Sequence, residues 1–325
     1  MKLIKEKAYA KINLDLEIIR KRSDGFHELR SIVIPLDFYD ELTFQISDKT
    51  VVNSNIDIED NIILKAVNLF LNTYKIKEHV KVTLKKIIPI GAGLGGGSAD
   101  AAATLRGLNK LFDLNLPKEQ LHTLANQLGS DVLFCLYNQP AIITGRGDII
   151  EFIEIPPIEN ILVLAMPFQI LTKDIFKNHI ITKIKTDFNK KLNHLVSREI
   201  DKFITLSENQ LLDTAIKTNK HFCEKYYQLI KISPNIKMTG SGPTLFIINP
   251  SNQELTALSK DNDIKVYKEK MKNCIYKLDK QWYNEINNKS GWRKILWKLQ
   301  MLGYEFLERK ADLREWLLLL LIIAL

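Results

Sequence analysis

The sequence is poor in cysteine and has no apolar run long enough to cross a membrane. Its three cysteines are Cys135, Cys223 and Cys274, too few and too scattered for a disulfide framework or a cysteine-based zinc site. A transmembrane helix needs about twenty apolar residues, whereas the run that closes the chain, residues 317–325, has nine. No signal or transit peptide pattern precedes the first predicted strand. We therefore expect a cytoplasmic protein without a transmembrane span.

Arginine-rich and aromatic-interleaved basic segments are also missing. The net charge of +8 is spread along the 325 residues, so we expect mild attraction for anionic small molecules and no binding of nucleic acid. Apolar residues make up 46% of the chain and charged residues 26%, which is typical of a globular protein. The length is sufficient for two domains, each with its own core.

Glycine is scarce as well, yet five of the 14 glycines fall within residues 91–97. A folded protein keeps such a run where the backbone needs positive φ angles or must approach a ligand closely. Consecutive amide N–H groups in such a loop bind anions, and Ser98 is placed to cap the helix predicted to follow it. The segment therefore predicts a phosphate-binding loop.

Other interpretations of this loop remain open. Gly91, Gly93 and Gly96 satisfy G-x-G-x-x-G, which would suit a nicotinamide-dependent oxidoreductase. That fingerprint should follow a continuous apolar strand, whereas residues 80–85 alternate between apolar and polar. No Gly-Lys-Ser/Thr follows the glycines, which excludes a Walker A loop. A non-catalytic nucleotide-binding module and a glycine-rich turn without a ligand are the further alternatives.

Three other segments carry candidate site residues. Even positions of residues 4–18 are mostly apolar, which predicts a strand with one buried face and places Lys11 and Asn13 together on the other face. Phe26 and His27 follow a predicted turn and could stack on a planar base. Asp131 follows Gly129-Ser130, a position typical of a helix cap.

The remaining pattern predicts an α+β protein with a domain boundary at the two prolines 156–157. The predicted domains are residues 1–155 and 156–275. In the first we expect strands at 30–36, 41–46 and 80–85, with helices at 61–74, at 98–112 and from Pro117. In the second we expect strands at 161–166 and 264–268 and two strands joined by a tight glycine turn within 236–248. Helices are expected near 172–185, 190–204, 208–231 and 252–260.

Three motifs together resemble those of the GHMP kinase superfamily: residues 10–14 with 24–27, residues 89–98, and residues 239–242. The resemblance covers residues 1 to about 275. It implies an N-terminal α/β domain with the ATP loop, packed on a C-terminal ferredoxin-like α+β domain, with the active site in the cleft between them. It also implies an ATP-dependent kinase that uses Mg²⁺, for which the sequence assigns no metal ligands.

Within the superfamily, the motifs are most similar to those of the branch that phosphorylates the 2-hydroxyl of a cytidine diphosphate-linked methylerythritol, in non-mevalonate isoprenoid biosynthesis. A homoserine or mevalonate type of kinase is the alternative. The resemblance makes Asp131 the catalytic base and Lys11 its charge partner. The implied ATP-binding residues are Asn61, Lys86, Pro89, Ile90, Gly91, Ala92, Gly93, Leu94, Gly95, Gly96, Gly97, Ser98 and Ala99. The implied substrate-binding residues are Asn13, Phe26, His27, Thr172, Phe176, Gly240 and Ser241, with Phe176 facing Phe26 and His27 across the base.

The chain departs from the family pattern in two places. Leu133 stands where the family usually has proline, two residues after the aspartate. Residues 276–325 continue beyond the resemblance as a Trp- and Leu-rich extension with nine basic and six acidic residues from position 277 onward. Its apolar residues recur at helical spacing, so we expect a helical extension. Weak contact with a membrane surface, docking of a partner protein and packing on the kinase are its possible roles.

Overall fold

A long antiparallel pair of strands forms the centre of the fold. In the computed structural model, which describes residues 2–273, β1 (Ile4–Lys21) pairs with β2 (His27–Ser47). The even-numbered apolar residues of β1 from Ala8 to Ile18 are buried, as the alternation predicts. The prediction of a single buried face was wrong for the middle of the strand, because the odd positions from Lys11 to Glu17 are buried too. These polar residues are covered by other parts of the chain.

The larger sheet is completed by β3 (Val51–Ser54), β4 (His79–Lys85), β5 (Ala141–Gly145) and β6 (Ile149–Phe152). Its order is β3-β4-β2-β5-β6, with β1 paired to β2. Four helices accompany it: α1 (Ile62–Thr73), α2 (Gly96–Leu111), α3 (Lys118–Leu128) and α4 (Ser130–Tyr137). Of these, α2 contacts β1, β2, α1 and α4 and contributes several alanines to the core.

The second sheet consists of β7 (Ile161–Ala165), β8 (Lys237–Met238), β9 (Leu245–Ile248) and β10 (Lys265–Glu269). Every neighbouring pair is antiparallel, and the order is β10-β7-β9-β8. Helices separate β7 from β8, and α10 (Asn252–Leu258) separates β9 from β10. This is the ferredoxin-like arrangement. The structure confirms the predicted α+β class.

Five short helices connect β7 to β8: α5 (Thr172–Asn178), α6 (Phe188–Val196), α7 (Ile200–Leu206), α8 (Leu212–Thr218) and α9 (Lys220–Leu229). The prediction of three long helices was wrong here. Arg198 has φ +65° and separates α6 from α7. Asn219 ends α8 and caps α9, because its side chain accepts a hydrogen bond from the N–H of Phe222.

A shared core joins the two sheets. Ile12 and Ile34 of the first sheet pack in one cluster with Val163 and Phe246 of the second. The predicted boundary at residues 156–157 falls between β6 and β7, and the division into two domains remains a prediction. The predicted extension, residues 276–325, lies outside the described residues. Between residues 2 and 273 no helix is both long and apolar enough to span a bilayer.

Candidate functional site

The glycine-rich loop connects β4 to α2 and turns back on itself through left-handed glycines. Gly91, Gly93 and Gly95 have φ of +68°, +75° and +69°. The helix begins at Gly96, with Gly95 as its N-cap and no side chain capping it. The prediction that Ser98 caps this helix was therefore wrong, because Ser98 lies within the first turn. The first amide groups of α2 thus have no side-chain cap and are suited to bind an anion.

Lys86 is a buried lysine that links the segment before the glycine loop to the helix after it. Nζ of Lys86 lies 2.5 Å from Oδ2 of Asp40 and 2.6 Å from Oδ2 of Asp100, in the first turns of α2. The other carboxylate oxygen of Asp40 accepts hydrogen bonds from the N–H groups of Ile87 and Ile88, which lead into the loop. The ammonium of Lys86 thus already pairs with two carboxylates, and its contact with the nucleotide stays a prediction.

Lys11 and Asp131 meet beside the loop, as the family resemblance implies. Nζ of Lys11 lies 3.2 Å from Oδ2 of Asp131, the second residue of α4. The lysine side chain is 6% exposed and the aspartate side chain 43%, so the carboxylate is the accessible member of the pair. The backbone N–H of Lys11 donates to the carbonyl oxygen of Leu94 at 2.9 Å, which joins β1 to the loop. Leu133, in the position of the family's proline, is buried within α4.

The third motif, residues 239–242, lies beside the glycine loop and Lys11. A Cβ on Gly240, which has φ +57°, would lie 3.2 Å from the carbonyl oxygen of Gly93 and 3.6 Å from Nζ of Lys11. Ser241 forms a hydrogen bond with Thr172 through their hydroxyl oxygens, 2.8 Å apart. The structure therefore brings the loop, the lysine strand and the third motif into direct contact.

An aromatic cluster lies at the other end of the site and consists of Phe26, His27, Phe176 and His179. The rings of His27 and Phe176 are in contact, with centroids 5.4 Å apart. Enclosing a base between two rings takes about 7 Å, twice the usual contact distance, so no base fits between these two. Phe26 is half exposed, and the guanidinium of Arg146 lies 5.5 Å from its ring centroid.

His179 and Arg146 were missed by the sequence analysis. The ring of His179 meets that of His27 edge-on at 6.2 Å, and its Nδ1 pairs with the hydroxyl of Thr214 at 2.9 Å. Burial, followed by the nearby charge of Lys21, lowers the pKa of His27. Burial, followed by His27, lowers the pKa of His179. The spacing of His179 from Phe176, about one helical turn, was the signal that could have pointed to it.

A cavity of about 980 Å³ lies between the loop, the Lys11–Asp131 pair, the third motif and the aromatic cluster. Of the four rings of the cluster, that of His179 does not line it. All of the predicted catalytic, ATP-binding and substrate-binding residues line it except Ala99, which is buried in the first turn of α2. Four basic side chains line the cavity in addition to Lys11 and Lys86: Lys21, Arg146, Lys173 and Lys177. The cavity therefore has a glycine-rich anion site, an ammonium–carboxylate pair and an aromatic end with basic residues near it.

Comparisons with known proteins define the class. Residues 61–139 match the model of the GHMP kinases N terminal domain. The crystal structure of a 4-(cytidine 5'-diphospho)-2C-methyl-D-erythritol kinase is similar at a TM-score of 0.69 and 23% identity, covering 83% of this chain and 100% of that one. A homoserine kinase from Cytophaga hutchinsonii gives a TM-score of 0.61 at 18% identity, with 84% and 95% coverage. The fold is that of the GHMP kinases.

A curated relative from Staphylococcus saprophyticus is more similar in sequence. It is 36% identical over 257 residues, which cover 76% of this chain and 90% of the relative, and its provisional name is 4-diphosphocytidyl-2-C-methyl-D-erythritol kinase. This chain belongs to the 4-diphosphocytidyl-2-C-methyl-D-erythritol kinase family. It is accordingly an ATP-dependent small-molecule kinase, and the oxidoreductase and non-catalytic alternatives are wrong.

Replacing Gly95 with alanine will weaken ATP binding. A left-handed conformation costs a residue with a Cβ about 1–2 kcal/mol, and here that Cβ would lie 2.9 Å from Cγ of Lys11. We expect the dissociation constant for ATP, measured by calorimetric titration, to rise about tenfold, which corresponds to ~1.4 kcal/mol. Gly129→Ala is the control, because Gly129 does not line the cavity and its Cβ would meet nothing closer than 3.5 Å. Unchanged affinity in folded Gly95→Ala would contradict the assignment of the loop.

The carboxylate of Asp100 makes the stability of the protein depend on pH. Burial, only partly offset by Lys86, raises its pKa from 3.8 to about 7. The folded protein therefore holds a proton that the unfolded chain releases. The resulting stabilisation is present below about pH 4 and is lost as the pH rises to about 7.

Urea denaturation across this pH range tests the effect. Relative to Asp100→Asn, we expect the wild-type free energy of unfolding to fall as the pH rises from about 4 to 7. Asp60→Asn is the control, since the Asp60 carboxylate is 76% exposed and pairs only with the surface residue Lys65. Wild-type and Asp100→Asn curves that stay parallel across the range would show that Asp100 does not titrate in this way.

Proposed function

We propose that this chain transfers the γ-phosphate of ATP to the 2-hydroxyl of 4-diphosphocytidyl-2-C-methyl-D-erythritol, a step of non-mevalonate isoprenoid precursor biosynthesis. The observation that carries the proposal is the Lys11–Asp131 pair, whose Nζ and Oδ2 lie 3.2 Å apart in the same cavity as the glycine-rich loop and the aromatic cluster. The names of the relatives support the choice of acceptor. ATP supply and the scattered cysteines favour a cytoplasmic reaction.

The two ends of the cavity suit the two substrates. The uncapped amides at the start of α2 would hold the ATP phosphates, and Asn61, which caps α1 and lines the cavity, would lie near the nucleotide. The cytosine would rest against the aromatic cluster. Because His27 and Phe176 contact each other, Phe26 is the ring free to cover the opposite face of the base. Arg146 and the neighbouring lysines would balance the charge of the cytidine diphosphate.

The chemistry requires one bond to form and one to break. The acceptor oxygen bonds to the γ-phosphorus while the bond from that phosphorus to the ADP oxygen breaks, and the hydroxyl proton passes to the carboxylate of Asp131. A carboxylate is a weak base toward an alcohol, but phosphoryl transfer depends mostly on position and charge, so acceptance of the proton late in the transfer is sufficient. Lys11 would hold this carboxylate in place, since its Nζ lies 3.2 Å from Oδ2.

The residues present are compatible with Mg²⁺ held mainly by the nucleotide. Magnesium in such sites is bound by one or two protein oxygens together with substrate phosphates. Among residues 2–273 no group of three or more His, Cys, Asp or Glu is arranged to hold a metal ion. The hydroxyl of Ser98, in the first turn of α2 and on the cavity wall, is a protein oxygen that would complete its coordination. When bound, the ion would neutralise charge on the phosphates.

An ADP-release assay against three alcohols tests the proposal. We expect turnover with 4-diphosphocytidyl-2-C-methyl-D-erythritol and none above background with homoserine or mevalonate. Asp131→Asn removes the base but keeps the shape, so kcat should fall by about 10² or more while ATP affinity stays the same. Asp60→Asn makes the same chemical change elsewhere on the cavity wall and should retain full turnover.

Two results would overturn the proposal. Turnover with homoserine or mevalonate in place of the cytidine-linked alcohol would assign a different acceptor to the site. Near-normal turnover by Asp131→Asn would remove the aspartate from the mechanism, whichever alcohol is phosphorylated.

A further inference from the structure

A chain of hydrogen bonds runs from the ammonium of Lys11 into the first sheet. Nζ of Lys11 donates to Oδ1 of Asn13 at 2.8 Å, and Nδ2 of Asn13 donates to Oγ of Ser31 at 2.8 Å. The hydroxyl of Ser31 in turn donates to the backbone carbonyl of Asp15 at 2.6 Å. The side chains of Lys11, Asn13 and Ser31 are buried. Neither the sequence motifs nor the family resemblance pointed to Ser31.

The direction of this chain is fixed at both ends. A lysine ammonium can only donate hydrogen bonds, and a backbone carbonyl can only accept them. Ser31 must therefore give its proton to Asp15 and accept from Asn13, which turns the NH₂ group of Asn13 toward Ser31 and its carbonyl oxygen toward Lys11. A reversed Asn13 amide would place its NH₂ donor next to the ammonium of Lys11, also a donor, and the hydrogen bond between them would be lost.

Thr239 of the third motif holds Asn13 from another side. The backbone N–H of Asn13 donates to the hydroxyl oxygen of Thr239 at 2.9 Å, and that hydroxyl donates to Oδ1 of Asn13 at 3.3 Å. The carbonyl oxygen of Asn13 thus accepts two hydrogen bonds, which occupy its two lone pairs. The oxygen has no lone pair left for a substrate, whereas the NH₂ group keeps one hydrogen beyond its bond to Ser31.

We propose that Asn13 and Ser31 are positioning residues that aim the ammonium of Lys11 at Asp131. This differs from the predicted role of Asn13 as a substrate-binding residue. A lysine side chain loses about 2 kcal/mol of rotamer entropy when it is fixed, so a buried acceptor that fixes it beforehand removes this cost from the reaction. The significance of the pair for catalysis rests on the proposed function, whereas the positioning itself does not.

A double-mutant cycle between Asn13 and Ser31 tests the proposal. Ser31→Ala removes the acceptor that orients the amide, and we expect kcat to fall about fivefold, the effect of one hydrogen bond of ~1 kcal/mol. The KM values for ATP and the alcohol should not change. Asn13→Ala should cost more, and adding Ser31→Ala to it should cost nothing further, because Ser31 acts through Asn13. Ser31→Thr keeps the hydroxyl and should restore most of the rate.

Ser207→Ala is the matched control. Ser207 is also buried and donates its hydroxyl to a backbone carbonyl, that of Ile204 at 3.1 Å, but it does not line the cavity. Its removal should leave kcat unchanged. Additive losses in the cycle, or a rise in the KM for the alcohol in Asn13→Ala at unchanged kcat, would show that Asn13 contacts the substrate and would overturn the proposal.

A measurement without substrate keeps the inference independent of the proposed function. In protein labelled with ¹⁵N-lysine, the buried ammonium of Lys11 should give a slowly exchanging NMR signal, assigned by its loss in Lys11→Arg. Ser31→Ala should broaden or shift this signal and Ser207→Ala should not. An unaltered signal in Ser31→Ala would overturn the positioning role even if the enzyme phosphorylates the expected alcohol. Loss of turnover with every alcohol alongside an altered signal would count against the proposed function alone.

Discussion

The ammonium of Lys11 is the point at which the functional parts of the molecule meet. It lies 3.2 Å from the carboxylate of Asp131 and 2.8 Å from the carbonyl oxygen of Asn13. Its side chain occupies the space that a Cβ on Gly95 would take. A buried ammonium is costly unless it is paired and hydrogen-bonded. The loop, the aspartate and the third motif are therefore constrained to surround it in one arrangement.

Two further buried lysines, Lys191 and Lys86, each bridge two carboxylates of the fold. Lys191 of α6 is fully buried and bridges Asp15 and Glu17 of β1 at 2.8 and 2.7 Å. Burial raises the pKa of Asp15 to about 6, despite this lysine. Lys86, which precedes the glycine loop, likewise bridges Asp40 of β2 and Asp100 of α2. Each ammonium joins elements distant in sequence, so the rigid frame of the site depends on paired charges as well as on apolar packing.

The sequence predicted the parts of the site whose chemistry is local. The glycine run required a loop with left-handed residues, and the alternation along β1 placed Lys11 beside Asn13. Ser31 could not be found in this way, because its importance comes from its contacts with Asn13 and Asp15 on the neighbouring strand. The short helices of the second half have a local cause, since the Asn219 cap and the left-handed Arg198 end them early. The buried odd face of β1, in contrast, could not be predicted because the residues that cover it lie far along the chain.

Phosphorus NMR of the reaction product tests the central claim most directly. The carbon that carries the 2-hydroxyl also carries the methyl group of the 2-C-methyl unit, so it has no hydrogen. A phosphate on this position will give a new phosphomonoester resonance without three-bond coupling to protons, and the resonance will grow at least about 10² times more slowly with Asp131→Asn. A resonance split by the protons of a primary or secondary carbinol would contradict the account. So would the absence of a new phosphomonoester resonance from protein that binds ATP.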